Sequence, residues 1–227
     1  PYKDAAPETG SVDYLYDTVR NLIARYNPSN PNLPIIAGEF GFSVTWGSVK
    51  NETTQAQYLT RQLIYHDHKN IPISMVYDFK NDGTDPNNNE HNFGIVRNDY
   101  SIKPAYTEIQ KLIQNRSGMN FSKRLSSAAN DYIFEYTGAS GKTAAAWTTG
   151  TAHTVNIYGK SVNLTNMPVY VKDSAAPAPS VPAAPTNLKV SSVAKGATSG
   201  KYFVNLSWTD SSNNETGFQV QSSSSAT

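Results

Sequence analysis

Hydrophobic positions in residues 1–115 switch between two rhythms, one with the period of a helix and one continuous. From Val12 they recur as Leu15, Tyr16, Val19, Leu22, Ile23 and Tyr26, the spacing of an amphipathic helix. Ser11 stands where an N-cap is favoured, and Pro28 and Pro31 stop the pattern. Leu33-Pro34-Ile35-Ile36-Ala37 is then an unbroken apolar run, the signature of a strand buried on both faces. A second helix is expected to begin near Thr54, where Thr54 and Gln57 have capping-box spacing. Ala56, Leu59 and Leu63 mark its inner face, Asn70 and Pro72 its end. Residues 73–79 predict a second buried strand. Pro104, tolerated in a first turn, opens a third helix with Ala105, Ile109, Leu112 and Ile113 on its core side.

Helix and strand in alternation mean parallel strands joined by helical crossovers. Two parallel strands need neighbours and cover on both faces, so the sheet is expected to continue upstream of Pro1. The pattern alone leaves a doubly wound sheet and a barrel both open. Residues 117–172 change rhythm: short β-rich stretches at 132–136, 143–148, 154–158 and 169–172, separated by Gly, Asn and Ser, predict a small antiparallel sandwich. Residues 173–184 form a Pro/Ala linker, and residues 185–227 begin another β module that stops in mid-pattern. The expected class is α/β followed by all-β.

Composition narrows the partners. Among 227 residues, 19 basic side chains nearly cancel 18 acidic ones, and neither sign forms a block, which argues against nucleic acid. No stretch reaches the roughly 20 apolar residues that span a bilayer. Cysteine is absent, excluding disulfides and thiolate metal sites; this fits a cytosolic protein or a bacterial secreted one. The 14 tyrosines, with plentiful Asn, Ser and Thr, suit polyol ligands, though a polar extracellular surface has the same look. The start at Pro1, without Met, suggests a processed chain or a piece of a longer one.

Both predicted strands run into unusual loops, where a barrel keeps its catalytic groups. The first ends Gly38-Glu39-Phe40-Gly41-Phe42-Ser43, a carboxylate between glycines that let a ligand approach the backbone. Glycoside cleavage needs two carboxyls, about 5 Å apart in retaining enzymes, and Glu39 can supply one; a solvated or Arg-paired Glu is the alternative. The second strand runs into Tyr77–Gly94, long, polar and aromatic. Tyr77 or Phe79 could floor a sugar site, or both could simply pack against helices. Asp82 to Glu90 offers oxygen ligands for Ca2+ without the spacing of the 12-residue calcium loop. His66 and His68 lack partners at ligand spacing and are expected at the surface.

The segments PIIAGEFGFS, YDFKNDGTDPNNNEHNFGIV and DYSIKPAY resemble the last two strands of clan A glycoside hydrolases, in particular the cellulase-like members of families 5 and 39. The resemblance runs in order through residues 1–115. It implies that Glu39 is the nucleophile ending strand seven and that the acid/base Glu lies outside this chain. Tyr2 would follow a lost His in a His-Pro-Tyr motif. The resemblance further implies a substrate site that includes Phe42, Trp46, Tyr77, Glu90 and His91. Where relatives often carry Trp, Phe42 stands after the nucleophile and Val76 or Tyr77 ends strand eight, and Trp46 could compensate.

Residues 117–172, with RLSSAANDYIFEY and AAAWTTG, resemble the β-sandwich that follows such barrels. Residues 185–227, with NLSWTDSSNNETGFQVQ, resemble the first half of a fibronectin type III module whose core tryptophan would be Trp208. The expected parent is a secreted, monomeric, cofactor-free, retaining hydrolase of a β-linked polysaccharide, and the piece alone is expected to be inactive and poorly soluble. The rival is a non-catalytic carbohydrate-binding or adhesive protein with a degenerate barrel. A nucleotide-binding doubly wound domain is set aside, because no G-x-G-x-x-G follows either strand.

Overall fold

The computed structural model describes residues 5–9, 11–173, 183–212 and 217–220. The chain divides into two units, residues 1–175 and 176–227.

The first unit opens with α1 (Ser11–Tyr26), β1 (Ile36–Phe40), α2 (Glu52–His68), β2 (Ile73–Val76) and α3 (Pro104–Arg116). Strands β1 and β2 pair in parallel, so α2 is the crossover between them. The first strand lies three residues later than its apolar run predicts: Leu33 is outside it and exposed. The cap of α2 also differs from expectation. Asn51, not Thr54, is the N-cap, its side-chain oxygen accepting from Thr54 N at 2.8 Å. Asn70 takes a left-handed φ of 53° where the helix ends, a conformation Asn tolerates better than most residues.

Burial of the strand pair is one-sided, a second departure. Ala37 and Phe40 are buried, whereas Ile36, Ile73 and Met75 are about half exposed. The stripe of α1 is open too: Tyr16 is buried, but Leu15, Val19 and Leu22 are exposed. Ile113, expected in the core, is also exposed, unlike Ala105 and Leu112 on the same helix.

Helix α2 is the spine of this unit. Its buried side chains include Leu59, Ile64 and Tyr65 but also Gln55, Arg61, Gln62 and His66, and such polar groups must find partners inside. His66, expected at the surface, is only 1% exposed. Its Nε2 meets Tyr16 Oη and Gln62 Nε2, both at 2.9 Å, and its Nδ1 meets Ser74 Oγ at 2.8 Å. Burial pushes its pKa down to about 4. His68 stacks on Phe134 with ring centroids 5.1 Å apart.

Beyond α3 come β3 (Met119–Arg124), β4 (Asp131–Gly138), β5 (Gly141–Thr148), β6 (His153–Ile157), β7 (Lys160–Leu164) and β8 (Val169–Lys172). They build an antiparallel sheet in the order β3-β4-β5-β8 and a separate β6-β7 hairpin. Alternation sorts the faces of the sheet. Tyr132, Phe134, Tyr136, Ala145 and Trp147 share one core with α2, while Ile133, Ala144, Ala146 and Val171 pack with Ile157 and Leu164 of the hairpin. Glu8 joins the two halves: Arg61 Nε of α2 lies 2.8 Å from its carboxylate, and Trp147 Nε1 of β5 donates to it at 2.8 Å.

In the second unit, β9 (Thr186–Lys195) and β10 (Tyr202–Thr209) pair antiparallel. The Trp208 ring meets Phe218 edge-on at 5.4 Å, and Leu188, Val193 and Phe203 are exposed.

Candidate active site

Parallel strands gather their ligand-facing loops at their carboxyl ends, and β1 and β2 end side by side. Pairing runs Ile36 with Ile73 and Ala37 with Ser74, then resumes at Phe40 with Val76. Gly38 and Glu39 thus both stand opposite Met75. That is a one-residue bulge, a device that re-aims a side chain at a sheet end. Glu39 is on the bulge and exposed, and a Cβ added at Gly38 would meet nothing within 4 Å. The backbone beside the carboxylate is open.

The next glycine has the opposite reason. A Cβ at Gly41 would lie 1.9 Å from the Tyr77 carbonyl oxygen and 3.1 Å from Phe93. Only glycine lets the loop after β1 pass this close under the loop after β2. Tyr77 N also donates to Phe40 O at 2.7 Å, so the residue after β2 is tied to the residue after Glu39. The Tyr77–Asp78 peptide is cis.

Further out, the loops are stitched together. Ser43 Oγ donates to Asn89 O and Thr45 Oγ1 to Asn89 Oδ1, both at 2.8 Å, and Val44 N donates to Asn92 O at 3.4 Å. The stitching assembles an aromatic wall. Phe93 is the middle ring, with Tyr77 edge-on at 5.3 Å and Trp46 edge-on at 6.1 Å. Tyr77 Oη donates to Glu90 Oε2 at 3.2 Å, with Asp82 Oδ2 at 3.5 Å. Loss of solvent, the Glu90 hydrogen bond and the charges of Asp82, Glu90 and Asp78 push the phenol up to about 12, so Tyr77 stays a neutral donor.

The expected site residues fare unequally. Glu39, Trp46, Tyr77 and Glu90 all lie at these two strand ends. Phe42 does not belong with them: it is fully buried, edge-on to Tyr58 at 5.4 Å, because the chain turns inward after Gly41 to pack on α2. It is a core residue and is withdrawn from the substrate site. His91 braces its own loop, Nδ1 accepting from Asp85 N at 3.2 Å. Tyr2 lies outside the described residues. Among the described residues no group of three His, Cys, Asp or Glu side chains is arranged to hold a metal ion, so the Asp82–Glu90 stretch forms no such cluster.

Three contributors escape sequence inspection. Gln55 of α2 donates to Phe42 O at 2.8 Å, Phe93 O at 3.0 Å and Asn92 O at 3.2 Å. Lys103, beside Pro104, is 1% exposed and reaches Asn81 and Asn92. Phe93 is buried as the hub of the wall. Nothing in their spacing separates them from surface polar or core apolar residues. A cavity of about 500 Å3 at the far end of α2, lined by Asp67, Arg116 and Tyr136, is no rival. There Arg116 and Tyr136 both bond Asp67, closing its charge internally.

No family model matches the sequence, and no curated protein does. Among solved structures, the chain resembles a family 39 glycoside hydrolase from the gut symbiont Bacteroides cellulosilyticus, with a TM-score of 0.59 at 22% identity over 69% of this chain. What is shared is the fold. The match spans 37% of the length of that protein's chain.

Proposed function

We propose that residues 1–115 are the C-terminal part of the (β/α)8 barrel of a retaining glycoside hydrolase, with β1 and β2 as its last two strands and Glu39 as nucleophile. The observation that carries the reading is the position of Glu39, exposed on a bulge at the end of a parallel strand. Beside it stands a wall of Trp46, Phe93 and Tyr77, in a fold shared with a glycoside hydrolase. The open apolar faces of β1, β2 and α1 are those that the remaining strands and helices of a barrel would cover. We read the second unit as fibronectin type III-like and the protein as a secreted one.

In this account a Glu39 oxygen attacks the anomeric carbon while a carboxylic acid on an upstream strand protonates the departing oxygen. The glycosyl–Glu39 ester is cleaved when water attacks the anomeric carbon, giving its proton to that second group, now a carboxylate, and releasing Glu39 as a carboxylate. Trp46 and Tyr77, the partly exposed rings of the wall, face the C–H side of a sugar ring, with Phe93 buried behind them. Tyr77, held as a phenol, keeps its proton on the Glu90 side. The substrate is a β-linked polysaccharide.

Comparing wild type with Glu39→Ala in the complete protein, on soluble β-glucans, xylan and mannan, tests this. A loss of about 10^4-fold in kcat or more is expected, with activity partly restored by azide, which can take the place of the missing carboxylate. A binding protein that kept the fold and lost the chemistry is the second reading, favoured by the same wall, since stacking needs no nucleophile. It predicts sugar binding without turnover, unaltered by Glu39→Ala.

A further inference from the structure

Lys103 has no part in the chemistry above, yet it sits where both strand-end loops converge. Its ammonium is buried and points at three acceptors: Asn81 Oδ1 at 2.8 Å, Asn92 O at 3.2 Å and Gln55 Oε1 at 3.5 Å. Asn81 lies in the loop after β2. Asn92 O also accepts from Val44 N of the loop after β1 and from Gln55 Nε2. Next in sequence is Phe93, the central ring of the wall. One buried cation therefore joins α2, the loop after β2 and the start of α3, and it meets the loop after β1 through the shared acceptor Asn92 O.

We infer that Lys103 is a positioning residue of the candidate site, its ammonium holding the two loops in the register that brings Trp46, Phe93 and Tyr77 together. An ammonium has three N–H donors and no lone pair, matching three acceptors. The neutral amine has two donors and a lone pair, so it can serve only two of the three acceptors as they stand.

The fold brings that change within reach of ordinary conditions. Burial lowers the Lys103 pKa to about 8; the charges of Glu52 and Asp78 oppose the shift and that of Arg97 adds to it. The global effect has the opposite sign. Between about pH 8 and the roughly 10.4 of a free lysine, the unfolded chain binds the proton more tightly than the folded one, so overall stability rises with pH. Loosening of the wall in that window would therefore run against the global trend, which separates it from general unfolding. The inference rests on the proposed function only in what the wall is for.

The test needs neither sugar nor turnover. The protein is labelled with 5-fluorotryptophan, the Trp46 resonance is identified by its loss in Trp46→Phe, and its 19F shift is followed from pH 6 to 10. A transition centred near pH 8, absent in Lys103→Met, is expected, with no loss of chemical stability in wild type over the same range. A Trp46 signal that does not titrate, or titrates equally in Lys103→Met, overturns the inference. If that variant does not fold, the ε-13C signal of Lys103 in the unmutated protein decides. Its midpoint must coincide with that of Trp46, and a lysine that titrates while Trp46 stays still contradicts the assignment. Absence of glycosidase activity would sink the proposed function and leave this result untouched.

Discussion

Phe42 and Trp46 leave β1 in one loop, yet the first ring is buried against Tyr58 while the second lies against Phe93 at the outer wall. The two should separate cleanly on mutation. Phe42→Ala should cost about 3–5 kcal/mol in urea melts, the usual range for a buried aromatic. Trp46→Ala should cost less than about 1 kcal/mol and instead weaken binding of β-linked oligosaccharides, measured by calorimetry. Sequence could not tell these rings apart, because both sit just after a glycine-flanked carboxylate and burial depends on where the chain turns. His66 makes the same point. A histidine near a helix end reads as surface, but the partners that bury it, Tyr16 and Ser74, lie on other elements. With its pKa near 4 in the fold, the unfolded chain binds more protons between about pH 4 and the ordinary histidine value near 6.5. Stability should therefore fall as pH drops through that window, by at most about 1.4 kcal/mol per pH unit from this group. Urea midpoints at pH 7 and pH 4.5 check this, and His66→Gln should flatten the difference.

At the scale of elements, periodicity located α1, α2 and α3 and the strand after α2, since each carries a continuous apolar stripe or run in the sequence. The limits of β1 were misplaced because Leu33 and Pro34 extend the apolar run without joining the sheet. Strands β3 and β7 went unseen: Met119–Arg124 fully buries none of its side chains, and Lys160–Leu164 buries only Leu164. The union of α2 with the antiparallel sheet was equally hidden, because it brings together residues far apart in sequence: a shared apolar core, and a buried ion pair between Glu8 and Arg61 with Trp147 donating to the same carboxylate. Removing one partner from such a pair strands the other charge. Glu8→Ala should thus cost about 3–5 kcal/mol and change the environment of Trp147, visible in its fluorescence. Glu8→Ala combined with Arg61→Met, which leaves no orphan charge, should recover a substantial part of that loss.

For the whole molecule, the open side of β1 and β2 is the feature with the largest consequence. Ile36, Ile73 and Met75 are about half exposed on a parallel pair, and parallel sheets are covered on both faces in stable proteins. Residues 1–227 prepared alone should self-associate, with an apparent mass in light scattering that rises with concentration. A monodisperse monomer with a cooperative melt would count against the barrel proposal. The most direct measurement of the central claim treats the complete protein with dinitrophenyl 2-deoxy-2-fluoro-β-glycosides, whose good leaving group lets the covalent intermediate form and whose fluorine slows its hydrolysis. Peptide mass spectrometry should then find one fluorosugar on the peptide containing Gly38-Glu39-Phe40, and none in Glu39→Gln. Turnover of natural substrate with the label on another carboxylate, or sugar binding with no label at all, would contradict the assignment of Glu39 as nucleophile.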